Sequence, residues 1–555
     1  MKKQLLRGVI LMIMSLMVFN CAKRGNITGG PKDETPPKFI RATPPNYSIN
    51  FDREDVRLYF DEYIKLKNAQ RQIIISPPLD PKPDFSPLGI ARKYAKIFFS
   101  DTLRENTTYT INFGYSIVDN NEENPLPFFK YVFSTGDYLD SLKVNGNILD
   151  AYLNTPETFI TVALYEVNEA YNDSLVYTDT PTYITNTLDS TTNFSIENIK
   201  EGTYKLIAFK DMNENYRFDP ATDKIGFREE PISLPGDSLD YTITLFQEEL
   251  DLRIDRPKQV SNQHFVFPFY GNPDSVVIEA ISNMPQGFES AVVRDRETDT
   301  LNYWFKPPVE MDSILFRVEN ANYLDTLVIK PRTSNPDSLQ IQNLTGTTLA
   351  LDKKITLSSN IPLARVNDSL IRIVDKDTID IPFTTKLDNQ LNELTLDFEP
   401  LEDNRYQVDL LPGALIDFLE NKTDSLAYSI RTKKRSDYGT LNLTINNIDR
   451  YPVIVQLTTD KGIPVKEVQS DAANNFDFEL IDPGTYLVRV IYDDNANGQW
   501  DTGSFLNARQ AETILYDSKT FEVRANWDVT ESISLPGINR QPSTSPPSQE
   551  IPEDN

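Results

Sequence analysis

The stretch Asn193–Asp219, NFSIENIKEGTYKLIAFKDMNENYRFD, is written a second time at Asn475–Asp501 as NFDFELIDPGTYLVRVIYDDNANGQWD. A shift of 282 residues, without a gap, matches 11 of the 27 positions. The matches are Asn193/Asn475, Phe194/Phe476, Glu197/Glu479, Ile199/Ile481, Gly202/Gly484, Thr203/Thr485 and Tyr204/Tyr486, followed by Asp211/Asp493, Asn213/Asn495, Asn215/Asn497 and Asp219/Asp501. What repeats is a turn leading into a strand and then an oxygen-rich loop. Tyr204, Leu206 and Ala208 alternate with Lys205, Ile207 and Phe209, so the spacing predicts a short β-strand that delivers its end to the loop.

In each loop the side-chain oxygens stand at positions 1, 3, 5 and 9 of Asp-x-Asn-x-Asn-x-x-x-Asp. Hard-cation sites use this spacing, with a backbone carbonyl added from position 7. A structural Ca²⁺ is therefore expected at Asp211, Asn213, Asn215, Arg217 (carbonyl) and Asp219, and again at Asp493, Asn495, Asn497, Gln499 (carbonyl) and Asp501. Position 12 is Thr222 or Ser504 where an EF-hand has a bidentate Glu, and a strand rather than a helix leads in, so neither loop is an EF-hand. The Gly expected at position 6 is Gly498 in one copy and Tyr216 in the other. The competing reading is an Asx-rich surface turn that forms without metal.

The chain opens with MKKQLLRGVILMIMSLMVFN, a basic start and an apolar core from Val9 to Phe19 that is short for a membrane span. Residues 1–20 are expected to be a removed signal peptide. The core stops at Cys21, the only cysteine, and the segment resembles a bacterial lipoprotein signal, with Asn20 standing where that family has a small residue. The resemblance implies fatty acylation (palmitate) of Cys21 and outer-membrane anchoring of the Bacteroidota type. Residues 21–37 then form a Gly- and Pro-rich tether. Surface-exposed lipoproteins of that type carry an acidic cluster directly after the cysteine. Here Ala22-Lys23-Arg24 follows and Lys32-Asp33-Glu34 comes later, so the periplasmic face and the cell surface both remain open. Losing Lys2, Lys3 and Arg7 takes the formal charge from −27 to −30, which argues against nucleic acid as a partner. With no further cysteine, disulfides are excluded as the source of stability.

From 38 to 137 short alternating runs (VRLYF, RQIII, AKIFF, YTINF, KYVFS) are separated by turn signals, the pattern of an antiparallel sandwich. With Thr43-Pro44-Pro45, Phe60-Asp61-Glu62, Leu103-x-x-Asn106-Thr107-Thr108-Tyr109 and Phe133-Ser134-Thr135, the stretch resembles the bacterial Ig-like domain of surface-layer proteins. Residues 335–434 resemble a degenerate second copy through Ile355-Thr356-Leu357, Leu394-Thr395-Leu396, Asn404-Arg405-Tyr406 and Tyr428–Thr432. The loop-bearing stretches 138–248 and 435–535 resemble transthyretin-like (prealbumin-like) modules, 249–334 is a β module of unassigned type, and 536–555 is expected to be a disordered tail. The fold expected is all-β, a tandem array of about five β-sandwich modules.

Catalytic signals are sparse. The lone histidine, His264, sits among aromatic strand residues, and nucleophile-elbow, P-loop and HExxH patterns are missing, so the chain is expected not to be an enzyme. Two functions remain: a non-enzymatic, lipid-anchored β-rod offering surfaces to envelope protein partners, as an accessory subunit of an outer-membrane assembly or a scaffold, and a surface adhesin or glycan-binding lipoprotein. The loop PLPFFKY, Pro125–Tyr131, is a candidate contact for the first. The second calls for exposed aromatic platforms, and the tryptophans are Trp304, Trp500 and Trp527. Asp-Ser/Thr-apolar triplets at Asp101, Asp140, Asp173, Asp237, Asp299, Asp312, Asp325, Asp337, Asp368, Asp377 and Asp424 resemble acceptor sites for O-linked glycans, or are turns leading into strands.

Overall fold

A computed structural model describes residues 32–537 apart from 101, 189–191, 237–239 and 518. The signal segment, Cys21, most of the tether, the tail beyond 537, Asp101 and Asp237 lie outside the described residues. The described chain is nearly all β. Its α-helical segments are single turns, Ala69–Gln72 and Leu175–Thr178. The first of these is a departure from the sequence reading. The RQIII run forms a helical turn through Gln72 and becomes a strand only at Ile74–Ser76, because Asn68, in the left-handed region at φ 48°, turns the chain into a helical turn closed by the Ile73 N–H on the Ala69 carbonyl.

Two compact units are present, one of residues up to 143 with Glu197–Lys200, the other of Val144–Ile196 and 201 onward. In the first unit a sheet of Phe39–Thr43, Asp55–Leu66, Arg92–Phe98 and Asp84–Ser86, joined by Ile117–Asp119, faces a sheet of Ile74–Ser76, Thr108–Asn112 and Lys130–Ser134. Val56, Leu58 and Ile97 from one sheet meet Tyr109, Ile111 and Phe133 from the other in a common core. Tyr109 also fixes a corner: its hydroxyl accepts the Arg104 N–H at 2.8 Å. Thr135 Oγ1 accepts the Thr107 N–H at 3.0 Å and donates to the Arg104 carbonyl at 2.7 Å.

The second unit repeats this corner in the sandwich built on Ile355–Ser359 and Arg405–Leu410. Tyr406 accepts the Leu401 N–H at 2.7 Å, while Thr432 Oγ1 accepts from Asn404 N at 3.0 Å and donates to the Leu401 carbonyl at 2.6 Å. Identical bonds over the same sequence separations identify the two corners as one device, the Tyr corner of Ig-like sandwiches.

The sandwiches that carry the loops also share a topology. In one, Leu142–Asp150 lies between Asn193–Ile199 and Asp240–Leu245; in the other, Gly439–Asn446 lies between Asn475–Ile481 and Asp528–Ser534. In both, the first strand pairs in parallel with the last. The loop-bearing strand, Gly202–Phe209 or Gly484–Tyr492, is central in the opposite sheet. A Cβ on Gly202 or Gly484 would lie 3.2 Å from the hydroxyl of the following Tyr204 or Tyr486. The Gly-Thr-Tyr match thus records a tyrosine ring folded over its own turn. Both faces of Gly202–Phe209 are buried from Tyr204 onward, so the alternation that marks the strand in sequence does not separate a wet face from a dry one.

Between these sandwiches lies a third, in which Phe265, Phe267 and Tyr303 of one sheet pack on Ile314 and Phe316 of the other. The second unit departs from an end-to-end rod, because its last sandwich packs back against its first.

Candidate functional site

Each loop is set by hydrogen bonds that its own spacing provides. In the first, Asp211 Oδ1 accepts the Asn215 N–H at 3.1 Å and Oδ2 the Tyr216 N–H at 2.7 Å. In the second, Asp493 Oδ1 accepts the Asn497 N–H at 3.0 Å and Oδ2 the Gly498 N–H at 2.8 Å. Asn215 and Asn497 each take the N–H of position 7, Arg217 or Gln499, at 2.9 and 2.8 Å. Positions 4 and 6 are left-handed in both loops: Glu214 and Tyr216, Ala496 and Gly498. Tyr216 therefore adopts the glycine conformation, at the steric cost a side chain carries there. Burial, with the nearby Asp211 charge, pushes its hydroxyl pKa upward.

Two carboxylates that the repeat does not reveal close the loops. Asp223 accepts the N–H of Met212 at 3.1 Å and of Asp219 at 2.9 Å. Glu512 accepts the equivalent N–H groups, of Asp494 at 2.7 Å and Asp501 at 3.0 Å. Each clamp joins position 2 to position 9. Burial raises the pKa of both clamps against the pull of those N–H bonds. They follow Asp211 and Asp493 by different distances in sequence, so a gapless comparison cannot align them.

The loops differ in how far their side chains converge. Asn495 and Asn497 both reach the same Oδ2 of Asp501, at 2.5 and 2.7 Å. In the first loop Asp219 Oδ1 instead accepts the Ala221 N–H at 3.0 Å, and the Arg217 Nε is buried without a hydrogen-bond partner. In the second loop the amide oxygens are committed to backbone, Asn495 Oδ1 to the Asn497 N–H at 3.0 Å and Asn497 Oδ1 to the Gln499 N–H at 2.8 Å, so a cation at the point now shared at Asp501 would require both amides to rotate and give up those bonds. Among the described residues no three Asp, Glu, His or Cys side chains gather as a metal group, so a cation here would depend on amide and carbonyl oxygens.

The second loop also runs into the contact between sandwiches. Trp500 donates from Nε1 to the Glu512 carbonyl at 3.0 Å, and its ring lies 5.0 Å from that of Tyr152. Thr502 Oγ1 donates to the Gln247 carbonyl at 2.5 Å, and the Phe505 N–H donates to Glu248 Oε1 at 2.6 Å. Phe505 packs edge-on against Phe227 at 5.2 Å. At the centre, fully enclosed Arg489 donates to Gln456 Oε1 at 2.5 Å, the Tyr516 hydroxyl at 3.0 Å and the Tyr152 hydroxyl at 2.9 Å, with its guanidinium 4.3 Å from the Tyr152 ring.

Other candidates fall elsewhere. His264 is buried, stacked on Trp304 at 3.9 Å and bonded through Nε2 to Asn302 at 2.8 Å. In PLPFFKY, Leu126 and Phe129 pack on the core and only Phe128 among the large apolar side chains is exposed, beside Tyr115. Asp140 is buried and accepts from Thr108 Oγ1 at 2.8 Å, which gives that Asp-Ser pair a structural role. No described helix is long and apolar enough to cross a membrane.

No curated protein matches the chain. Among solved structures, the S-layer protein rSbsC(31-844) aligns at 11% identity over 82% of this chain and 65% of its own, with a TM-score of 0.16. Surface layer protein SbsC, domains 1-6, aligns at 9% over 88% and 67%, TM-score 0.14, and the Bacillus anthracis TIE protein at 9% over 92% and 76%, TM-score 0.12. This chain thus spans about two thirds of the length of the first two. Residues 33–135 match the family model described as a bacterial Ig-like domain, the stretch that folds as the first sandwich.

Proposed function

We propose that the chain is a non-enzymatic cell-envelope scaffold, moored to the outer membrane through acylated Cys21, whose β modules offer surfaces to protein partners. The observation that supports this most is the outer face of the sheet Val277–Ala280, Ile314–Glu319, Leu324–Ile329. Leu315 lies opposite Val328, and the Ile281 N–H bonds to the Leu315 carbonyl at 2.9 Å, forming one apolar row. Val277 and Leu324 flank Glu319 in another. Between the rows Arg317 is paired with Glu279 at 2.8 Å. All five aliphatic residues are exposed, Leu324 by 70%. Leu324–Ile329 is an edge strand with no proline inside it, the kind of surface that soluble proteins otherwise blunt.

Ca²⁺ at the second loop belongs to the same reading. With carboxylates at two of its ligand positions, Asp493 and Asp501, its affinity is expected at about 10⁻⁴–10⁻³ M, the weak range of extracellular modules. Co-purification from solubilised membranes tests the scaffold: the double variant Leu315→Lys, Val328→Lys should melt like the parent and lose a defined set of envelope proteins. Recovery of the same set by the variant, or of none by the parent, would overturn it.

A further inference from the structure

We propose that Trp527 and the cavity beside it form a binding site for neutral carbohydrate. The three tryptophans have different settings. Trp304 is buried, Trp500 is packed on Tyr152, and Trp527 is 56% exposed. The exposed ring is held in place. Glu522 accepts from Arg524 through both oxygens, at 2.9 and 3.0 Å, and the guanidinium so fixed lies 5.0 Å from the Trp527 ring centroid. The turn beneath is pinned at several points: Asn526 is left-handed and donates to the Tyr438 carbonyl at 2.8 Å, and the Thr440 N–H donates to the Trp527 carbonyl at 2.9 Å. Gly439 permits this approach, since a Cβ there would stand 2.5 Å from the Arg524 carbonyl oxygen. A flat amphipathic surface is thereby preorganised in solvent, which is how aromatic side chains contribute binding area at low entropic cost.

Trp527 lines a cavity of about 210 Å³ together with Arg435, Thr440, Glu479, Asn526 and Asp528. Arg435 faces Glu479 at 3.9 Å, so the lining presents guanidinium and amide donors beside carboxylate acceptors. That mixture selects for chemistry. A polyanion would meet Glu479 and Asp528, and a purely apolar ligand would strip water from these carboxylates without replacing it. A pyranose instead offers a C–H face to the indole and hydroxyls that both donate to carboxylates and accept from Arg435 or Asn526.

The full chain should be applied to an array of neutral and acidic glycans, and its tryptophan emission titrated with neutral gluco-, manno-, galacto- and xylo-oligosaccharides. Saturable binding to a neutral glycan, with an emission change, is expected, because Trp527 is the tryptophan within reach. Trp527→Ala should weaken that binding roughly tenfold, as loss of a stacked aromatic does, Trp527→Phe less, and Glu479→Gln measurably. All three variants should keep the parental melting temperature. Failure to bind any neutral glycan, binding confined to acidic glycans, or binding untouched by Trp527→Ala and Glu479→Gln would overturn the assignment.

Discussion

Replacing Arg489 by Ala should undock the last sandwich from the first sandwich of the second unit. The guanidinium is fully enclosed, and its hydrogen-bond acceptors, Gln456, Tyr516 and Tyr152, are all neutral. Each bond to a charged donor contributes about 1.5–3 kcal/mol, against a desolvation cost of several kcal/mol for the charge itself. Truncation removes the bonds, strands the Gln456 oxygen in a buried site and opens a void against Tyr152, a net loss of about 3–5 kcal/mol. Tyr152→Phe deletes a single bond from this charged donor and should cost about 1.5–3 kcal/mol. Tyr152→Ala strips the opposite side of the same contact, so the two alanine variants should be non-additive by about 1–3 kcal/mol. Hydrogen exchange reads the outcome locally: the Phe505 amide, bonded to Glu248 across the contact, should lose protection in Arg489→Ala while the Phe476 and Val488 core keeps its own. Additive effects within about 0.5 kcal/mol, or an unchanged Phe505 amide, would refute a docking held by this residue.

Adding several millimolar Ca²⁺ should stabilise the last sandwich by about 1–2 kcal/mol, and Asp493→Ala should abolish that gain; equal melting with chelator and with excess Ca²⁺ would remove the cation from the reading. Tyr109→Phe and Tyr406→Phe should each cost about 1–3 kcal/mol in urea unfolding, since both rings are buried and each leaves a backbone N–H without its acceptor. Burial lowers the His264 pKa, opposed by Asn302 and Asp337, so the neutral ring is the form the fold prefers. Stability from this site should be intact above the ordinary imidazole value and fall as pH drops below about 6.5, and His264→Phe should flatten that slope. A parent profile flat between pH 7 and 5 would contradict it.

The fold class was legible because strand alternation and turn residues are local signals. VRLYF and KYVFS lie within strands, and Tyr109 and Tyr406 stand at matching corners in two sandwiches whose sequences have otherwise diverged. The twin loops were legible for the same reason, since Asp211 and Asp493 organise backbone within five residues of themselves. What the residues hid was long-range. Tyr152 meets Trp500, and Phe227 meets Phe505, across the contact between sandwiches, and no local pattern marks these pairs. Arg489 stands where the repeat has the buried Ile207, and the cover that Tyr152 gives it comes from far away in sequence. Asp223 and Glu512 do the same work from unequal distances, which no fixed spacing encodes.

The parallel pairing of Gly439–Asn446 with Asp528–Ser534 has a mechanical consequence. A pull applied to the two ends of that sandwich would load seven paired positions, from Thr440/Asp528 to Asn446/Ser534, in shear. Bonds so arranged share the force and rupture together, whereas an antiparallel hairpin pulled from its open end unzips one rung at a time. A pull along the length of the module would therefore meet these bonds together rather than one at a time.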